Sequence, residues 1–99
     1  MFIKVKDITK IRNEIEEKSR VLKALAHPTR LCIVKGLLED SGCNVSRMQY
    51  CLEVPQSTLS QHLSKLKDLG IVEGKRVGKK VKYYVISDEA RKVVKALFD

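Results

Sequence analysis

Residues 7–26, DITKIRNEIEEKSRVLKALA, place apolar side chains at Ile8, Ile11, Ile15, Leu22 and Leu25, one helical stripe interrupted by Lys18. Asp7 is positioned to cap that helix at its start. The stripe is long and exposed for so small a chain, so part of it is expected to face a second copy. His27-Pro28 ends it, because a residue before proline avoids the helical region, and Pro28 opens a second helix over 28–40. Leu31, Val34, Leu37 and Leu38 form its expected buried face. SGCN, 41–44, reads as a turn, and 45–52 as a short helix with Val45, Met48, Cys51 and Leu52 on its apolar side. Pro55 begins a fourth helix whose Leu59, Leu63 and Leu66 recur at i, i+4 and i+7, and Gly70 lies just beyond its end. There the period changes to two. The runs 71–77 and 80–86 read as strands joined around Val77-Gly78-Lys79, a hairpin with glycine in its turn. Ser87-Asp88 offers a cap for a last helix, 88–98, with Ala90, Val93, Val94 and Leu97 along one side. No repeat, linker or low-complexity segment interrupts this order, so the 99 residues are expected to form one domain, mainly α with a small β-hairpin.

The fourth helix has an unusual exterior. A solvent-facing helix ordinarily carries Ala, Glu, Lys and Arg, which lose least on entering a helix. Here Gln56, Ser57, Thr58, Ser60, Gln61, His62 and Ser64 fill the first turns. With 3.6 residues per turn and Leu59 as origin, Leu63 and Leu66 stay close to it and His62 flanks them at the edge of the core. Ser57, Ser60, Gln61 and Ser64 point the opposite way, bordered by Lys65 and Asp68. Short side chains let the backbone approach a partner closely, and Ser and Gln donate and accept as base edges in a major groove require. The helix start adds free N–H groups that favour phosphate. A functionless surface helix would tolerate the same residues, so the neighbours decide. A short helix (45–52), a tight connection and this second helix make a helix-turn-helix arrangement, from whose first helix Arg47 and Gln49 reach toward phosphates.

Charge narrows the partner. A net charge of +8, from 20 Lys+Arg against 12 Asp+Glu, predicts attraction to nucleic acid or an anionic membrane surface. The hairpin GKRVGKKVKYY carries Lys75, Arg76, Lys79, Lys80 and Lys82 with no acid among them. Such crowding costs stability unless a polyanion lies alongside, and defence of a sheet edge explains one or two lysines but not five. No apolar run approaches the ~20 residues of a membrane span, and MFIKVKDITK has no signal-peptide core. A cytoplasmic chain with no membrane partner is expected. Three cysteines without a CxxC pair fit a reducing compartment rather than a disulfide framework. Cys32, within RLCIVKGLL, and Cys51 are expected in the core, and Cys43, beside Gly42, nearer the surface. His27 and His62 have no carboxylate or cysteine at a catalytic spacing, and there is no Gly-rich phosphate loop, HExxH or serine elbow. Neither an enzyme, a cofactor nor a small-molecule substrate is expected.

LKALAHPTRLCIVKGLL followed by STLSQHLSKLKDLGIVEGKRVGKKVKYYVI resembles the ArsR/SmtB family of winged helix-turn-helix repressors across residues 20–90. LAHPTRL, STLSQHLSKLKDLGIV and GKKVKYY occur in family order and at family spacing. The resemblance implies a winged helix-turn-helix fold (α-α-α-α-β-β-α) and a homodimer joined through its first and last helices, bound to an imperfect inverted repeat in double-stranded operator DNA. It puts the base-reading positions at Gln56, Ser57, Ser60 and Gln61 and the phosphate-gripping wing at Lys75 to Lys82. The expected phosphate contacts are Arg47, Gln49, Ser64, Lys65, Lys75, Arg76, Lys79, Lys80 and Lys82. Ile8, Ile11, Ile15, Leu22, Val93, Val94 and Leu97 are the expected dimer seam.

Many members of that family respond to metals, through a CVCDL segment at the start of the third helix. The aligned residues here are Asn44, Val45, Ser46, Arg47 and Met48, so both thiols are replaced, Arg47 brings a positive charge, and Cys43 is one position out of register. A second family site begins with Asp-x-His near the start of the last helix. Asp88 matches, but Ala90 replaces the histidine and Asp99 comes before the later ligands. Soft and borderline cations need thiolate or imidazole sets, so no regulatory metal site is expected. Two other readings stand beside this one: a thiol- or metal-responsive sensor using Cys43, and a winged-helix protein-interaction module, against which the basic wing argues.

Overall fold

The computed structural model describes residues 7–99. Its elements run α1 (Ile8–Leu25), α2 (Pro28–Glu39), β1 (Cys43–Asn44), α3 (Val45–Leu52), α4 (Gln56–Asp68), β2 (Val72–Val77), β3 (Lys80–Val85) and α5 (Asp88–Phe98). The strands form one antiparallel sheet in the order β1-β3-β2.

Short polar contacts start and stop the helices. His27 is extended, and its Nδ1 accepts from the Thr29 N–H at 3.1 Å to cap α2. Asn44 Oδ1 caps α3 through the Arg47 N–H, and Ser87 Oγ caps α5 through the Ala90 N–H. Asp7 holds the cap position of α1, but its side chain makes no cap hydrogen bond. Pro55 caps α4 instead of beginning it: its ψ of 146° is extended, while its carbonyl accepts from the Leu59 N–H at 3.0 Å. At the other end Ile71 N–H donates to Leu66 O and Gly70 N–H to Lys67 O, a Schellman pattern that requires the positive φ of Gly70, +74°.

SGCN contributes more than a turn. Cys43 and Asn44 form a third strand, paired with Tyr83 and Lys82 of β3. Two residues are too few to show a period, which is why this strand has no signature in the pattern. The hairpin turns at Gly78 and Lys79, between the paired Val77 and Lys80. Gly78 has φ +63°, whereas Glu53 alone among the described non-glycine residues has a positive φ, so the turn is of type II′.

The core gathers Leu59, Leu63 and Leu66 of α4 with Ile33, Val34 and Leu37 of α2, Met48 of α3, Ile71, Val72 and Val85 from the sheet and its approach, and Ala90 and Val94 of α5. The buried face of α2 is rotated from its expected position. Ile33 points inward and Leu31 and Leu38 are half-buried, because α2 packs against α1, α4, α5 and β3 at once. The same rotation puts Cys32 outside, contrary to expectation. Met48 and Leu52 define the inward side of α3, and Cys51 is left exposed as well. Cys43 is half-buried instead, tucked in by its strand pairing. Only the last turn of α1 reaches this core, through Val21, Ala24 and Leu25. The rest projects and stretches the molecule to 52 × 27 × 21 Å. It carries Ile8, Ile15 and Leu22 exposed, and Lys18 meets Glu89 of α5 at 2.9 Å.

Candidate nucleic-acid interface

The Glu53 residue, left-handed at φ +55°, turns the chain between α3 and α4. Leu59, Leu63 and Leu66 are at most 2% exposed, and they seat α4 on the core. Gln56, Ser57, Ser60, Gln61, Ser64 and Lys65 all stand outward. Pro55 supplies no side-chain acceptor, so no side chain occupies the first N–H groups of α4 and they remain available to an anion.

His62 belongs to the support of this helix. Its Nδ1 lies 3.4 Å from Arg30 Nη1, and its ring is 4.4 Å from that of His27. Arg30 is itself fixed by donating from Nε to Ala24 O at 2.7 Å. Burial first, then the neighbouring His27 and Arg30, push the His62 pKa below that of a free histidine. The neutral ring is a strut between α4 and the corner joining α1 to α2, at the edge of the core where the helix angles put it.

On α3, Arg47 is exposed but its guanidinium lies 3.2 Å from the Asp40 carboxylate, and Gln49 is half-buried. Tyr50, which sequence reasoning passed over, is 85% exposed. The signal was present, since a tyrosine off the apolar stripe of 45–52 has a hydroxyl for a polar partner.

The register sorts the basic residues of the wing. Opposite partners share a face of the sheet, so Glu73, Lys75 and Val77 lie with Tyr84, Lys82 and Lys80, while Arg76 shares the other face with Val81. Lys75 and Lys82 are directly opposed, like charges that repel. Lys75 is also 3.6 Å from Glu73 and 5.5 Å above the Tyr84 ring, so an acid just outside the basic run takes up part of its charge. Lys79 sits in the turn. Gly74 allows the hairpin to close over its aromatic: a Cβ there would come within 2.8 Å of Val81 Cγ1 and 3.1 Å of Tyr83 Cε1.

Arg20 and Lys23 of α1, Arg30 of α2 and Lys65 of α4 line one cleft with Ala24 and Leu69. Their separation along the chain hid this second basic cluster from sequence reasoning. Of the expected seam residues, Ile8, Ile15, Leu22 and Leu97 are exposed, and Ile11 and Val93 are half-buried. Val94 is 2% exposed and belongs to the protomer's own core, because α5 turns it toward α2. Among the described residues no helix is long and apolar enough to cross a membrane.

A helix-turn-helix backed by a basic two-stranded wing defines a winged helix-turn-helix DNA-binding regulator. A family model described as a helix-turn-helix domain matches residues 25–75. The transcriptional repressor PagR of Bacillus anthracis is 34% identical over 83 residues, 84% of this chain and 83% of PagR. The repressor SmtB of Mycobacterium tuberculosis is 42% identical over 72 residues, 73% of this chain and 53% of SmtB. The crystal structure of PagR superposes with a TM-score of 0.80 at 32% identity, covering 87% of this chain and 98% of PagR. The homodimeric winged helix-turn-helix domain Mb0332 of Mycobacterium bovis gives a TM-score of 0.75 at 25% identity, covering 98% and 86%. The chain belongs to the ArsR/SmtB family of winged helix-turn-helix transcriptional repressors. It is a DNA-binding repressor of that type and not an enzyme.

Proposed function

We propose that the protein acts in the cytoplasm as a homodimer of one winged helix-turn-helix domain, residues 1–99, that binds an imperfect inverted repeat in operator DNA. The observation that carries this reading is the exposed start of α4, a face of serines and glutamines beside a wing whose lysines repel one another. Gln56, Ser57, Ser60 and Gln61 read base edges, and a glutamine at such a site suits the N6 and N7 of adenine. Arg47, Gln49, Ser64, Lys65, Lys75, Arg76, Lys79, Lys80 and Lys82 bind phosphates, which set the register of the helix without reading sequence. Tyr50 adds a hydroxyl to that set.

Exposed Ile8, Ile15, Leu22 and Leu97, with Ile11 and Val93, supply the seam between protomers. The homodimeric state of Mb0332 supports the same assembly here. Two-fold symmetry would set the two copies of α4 about 34–36 Å apart, one turn of the duplex. The reading includes no resident metal, because Asn44 and Ser46 cannot replace thiolates and the Arg47 guanidinium lies against Asp40. Selection from randomised duplexes tests the whole reading. Enriched sites should contain two symmetric half-sites about 10 bp apart, bound by two chains per duplex. Single half-sites bound by one chain would overturn the dimeric mode. Stoichiometric zinc in the purified protein, lost on Cys43→Ser, would overturn the metal-free mode.

A further inference from the structure

Three cysteines from three successive elements line one groove. Cys32 of α2, Cys43 of β1 and Cys51 of α3 surround a cavity of about 230 Å³ whose apolar wall includes Leu37, Met48 and Leu52. Cys32 and Cys51 are exposed there, and Cys43 is half-buried. Free cysteine is among the most buried residue types, so two exposed thiols on one apolar groove need a reason. Gly36 provides a second, independent sign. It lines the groove at the start of the last turn of α2, still within the helix, where glycine is among the weakest helix formers. Its φ is not positive, and a Cβ added to it would meet nothing within 4 Å. Neither backbone nor packing asks for glycine at this position. A side chain would fill the groove.

We infer that this groove captures small apolar electrophiles of the Michael-acceptor class on Cys32 or Cys51, and that the adduct weakens DNA binding through α3. The apolar wall holds the hydrocarbon part of the acceptor. The thiol gives its proton to water, the sulfur adds to the β-carbon as the C=C π bond breaks, and the α-carbon then takes a proton from water. No oxidant is needed. A peroxide would make no use of an apolar wall, and among the described residues no three ligating side chains gather for a metal ion. Cys43 is the poorer nucleophile of the groove, since burial and then Asp40 raise its pKa above that of a free thiol. An adduct wedged between α2 and α3 would shift the helix that carries Arg47 and Tyr50. This last step rests on the operator reading above.

The test uses N-phenylmaleimide and the more polar N-hydroxyethylmaleimide, each labelling rate divided by its rate with glutathione and the adducts placed by peptide mass spectrometry. Burial of the phenyl ring should make its normalised rate at Cys32 or Cys51 about tenfold the higher. Gly36→Leu, folded by circular dichroism, should erase that ratio, and Cys32→Ser or Cys51→Ser should remove the corresponding adduct. Labelled wild-type protein should lose about tenfold in affinity for duplex DNA, the size of change that one displaced base or phosphate contact produces. Equal normalised rates for the two probes would overturn the capture, and unchanged affinity after complete labelling would overturn its coupling to DNA. Failure of unlabelled protein to bind DNA would count against the operator reading, while the labelling ratio still decides the capture.

Discussion

Lys82 stands opposite Lys75 on the outer face of the wing, with Lys80 two residues away on the same side. If the two ammonium groups came as close as their Cβ atoms, about 5 Å, they would repel by at most about 0.8 kcal/mol in a water-like dielectric. Salt with a screening length of about 8 Å and the freedom of two long side chains reduce this to about 0.3 kcal/mol. Lys82→Gln keeps the side-chain stem and removes the charge. It should therefore raise the melting temperature by about 1–2 °C, given about 4–8 °C per kcal/mol in a chain of this length. The same substitution should weaken DNA binding. Removing one phosphate-bound lysine flattens the dependence of log K on log salt by about 0.9, so the affinity loss between about 50 and 200 mM salt shrinks about 3.5-fold. Lys80→Gln with Lys82→Gln should flatten the slope by about 1.8. Lys75 is a poorer probe, because removing it also breaks its contacts with Glu73 and Tyr84. Fluorescence anisotropy over a salt series and thermal melting by circular dichroism read the two effects independently. A lysine kept only for solubility would gain stability without changing the slope. An unaltered slope in the double variant would refute the wing's role as a phosphate grip.

Gln61→Ala should cost about 1–3 kcal/mol on the preferred operator and little on random duplexes. Equal losses on both, measured by competition binding, would remove Gln61 from the base-reading set. Ile15→Glu alters a side chain 55% exposed in the protomer, so protomer stability should change by less than about 0.5 kcal/mol. It introduces two charges into a symmetric seam, however, and sedimentation should show the dimer dissociating; an unchanged dimer mass would place the seam elsewhere. His62 has a folded pKa held below the ordinary value of 6.5 by burial, His27 and Arg30. The unfolded chain therefore takes up the proton first as pH falls. The stability contributed by the neutral ring is complete above 6.5 and is lost as pH drops from there through the lower folded value. Denaturant titrations should show that loss in the wild type and not in His62→Gln, and parallel profiles would exclude His62 as its source.

The elements were legible wherever one face of a helix or strand repeats long enough to reveal its period. The bounds of α3 and α5 follow their caps and apolar positions, and the helix angles of α4 separate its buried leucines from Ser57, Ser60 and Gln61 correctly. What stayed hidden depends on contacts between segments. β1 is defined only by its partner strand. Local hydrophobicity places Cys32 and Cys51 inside, but α2 buries several sides and its apolar run does not say which way Cys32 turns. The wing makes the point most directly for function. Five basic residues in one run predict attraction to a polyanion, yet only the register with β3 reveals that Lys75, Lys80 and Lys82 share a face that Arg76 does not. Charge alone would suit many acidic partners. Three cations on one ribbon face, next to a helix whose outward residues are short and polar, suit a surface with regularly spaced phosphates and readable edges between them. On the proposed operator reading the weak helix formers of α4 make sense, because bulkier or charged residues at Ser57 and Ser60 would favour the isolated helix and hold its backbone away from the groove.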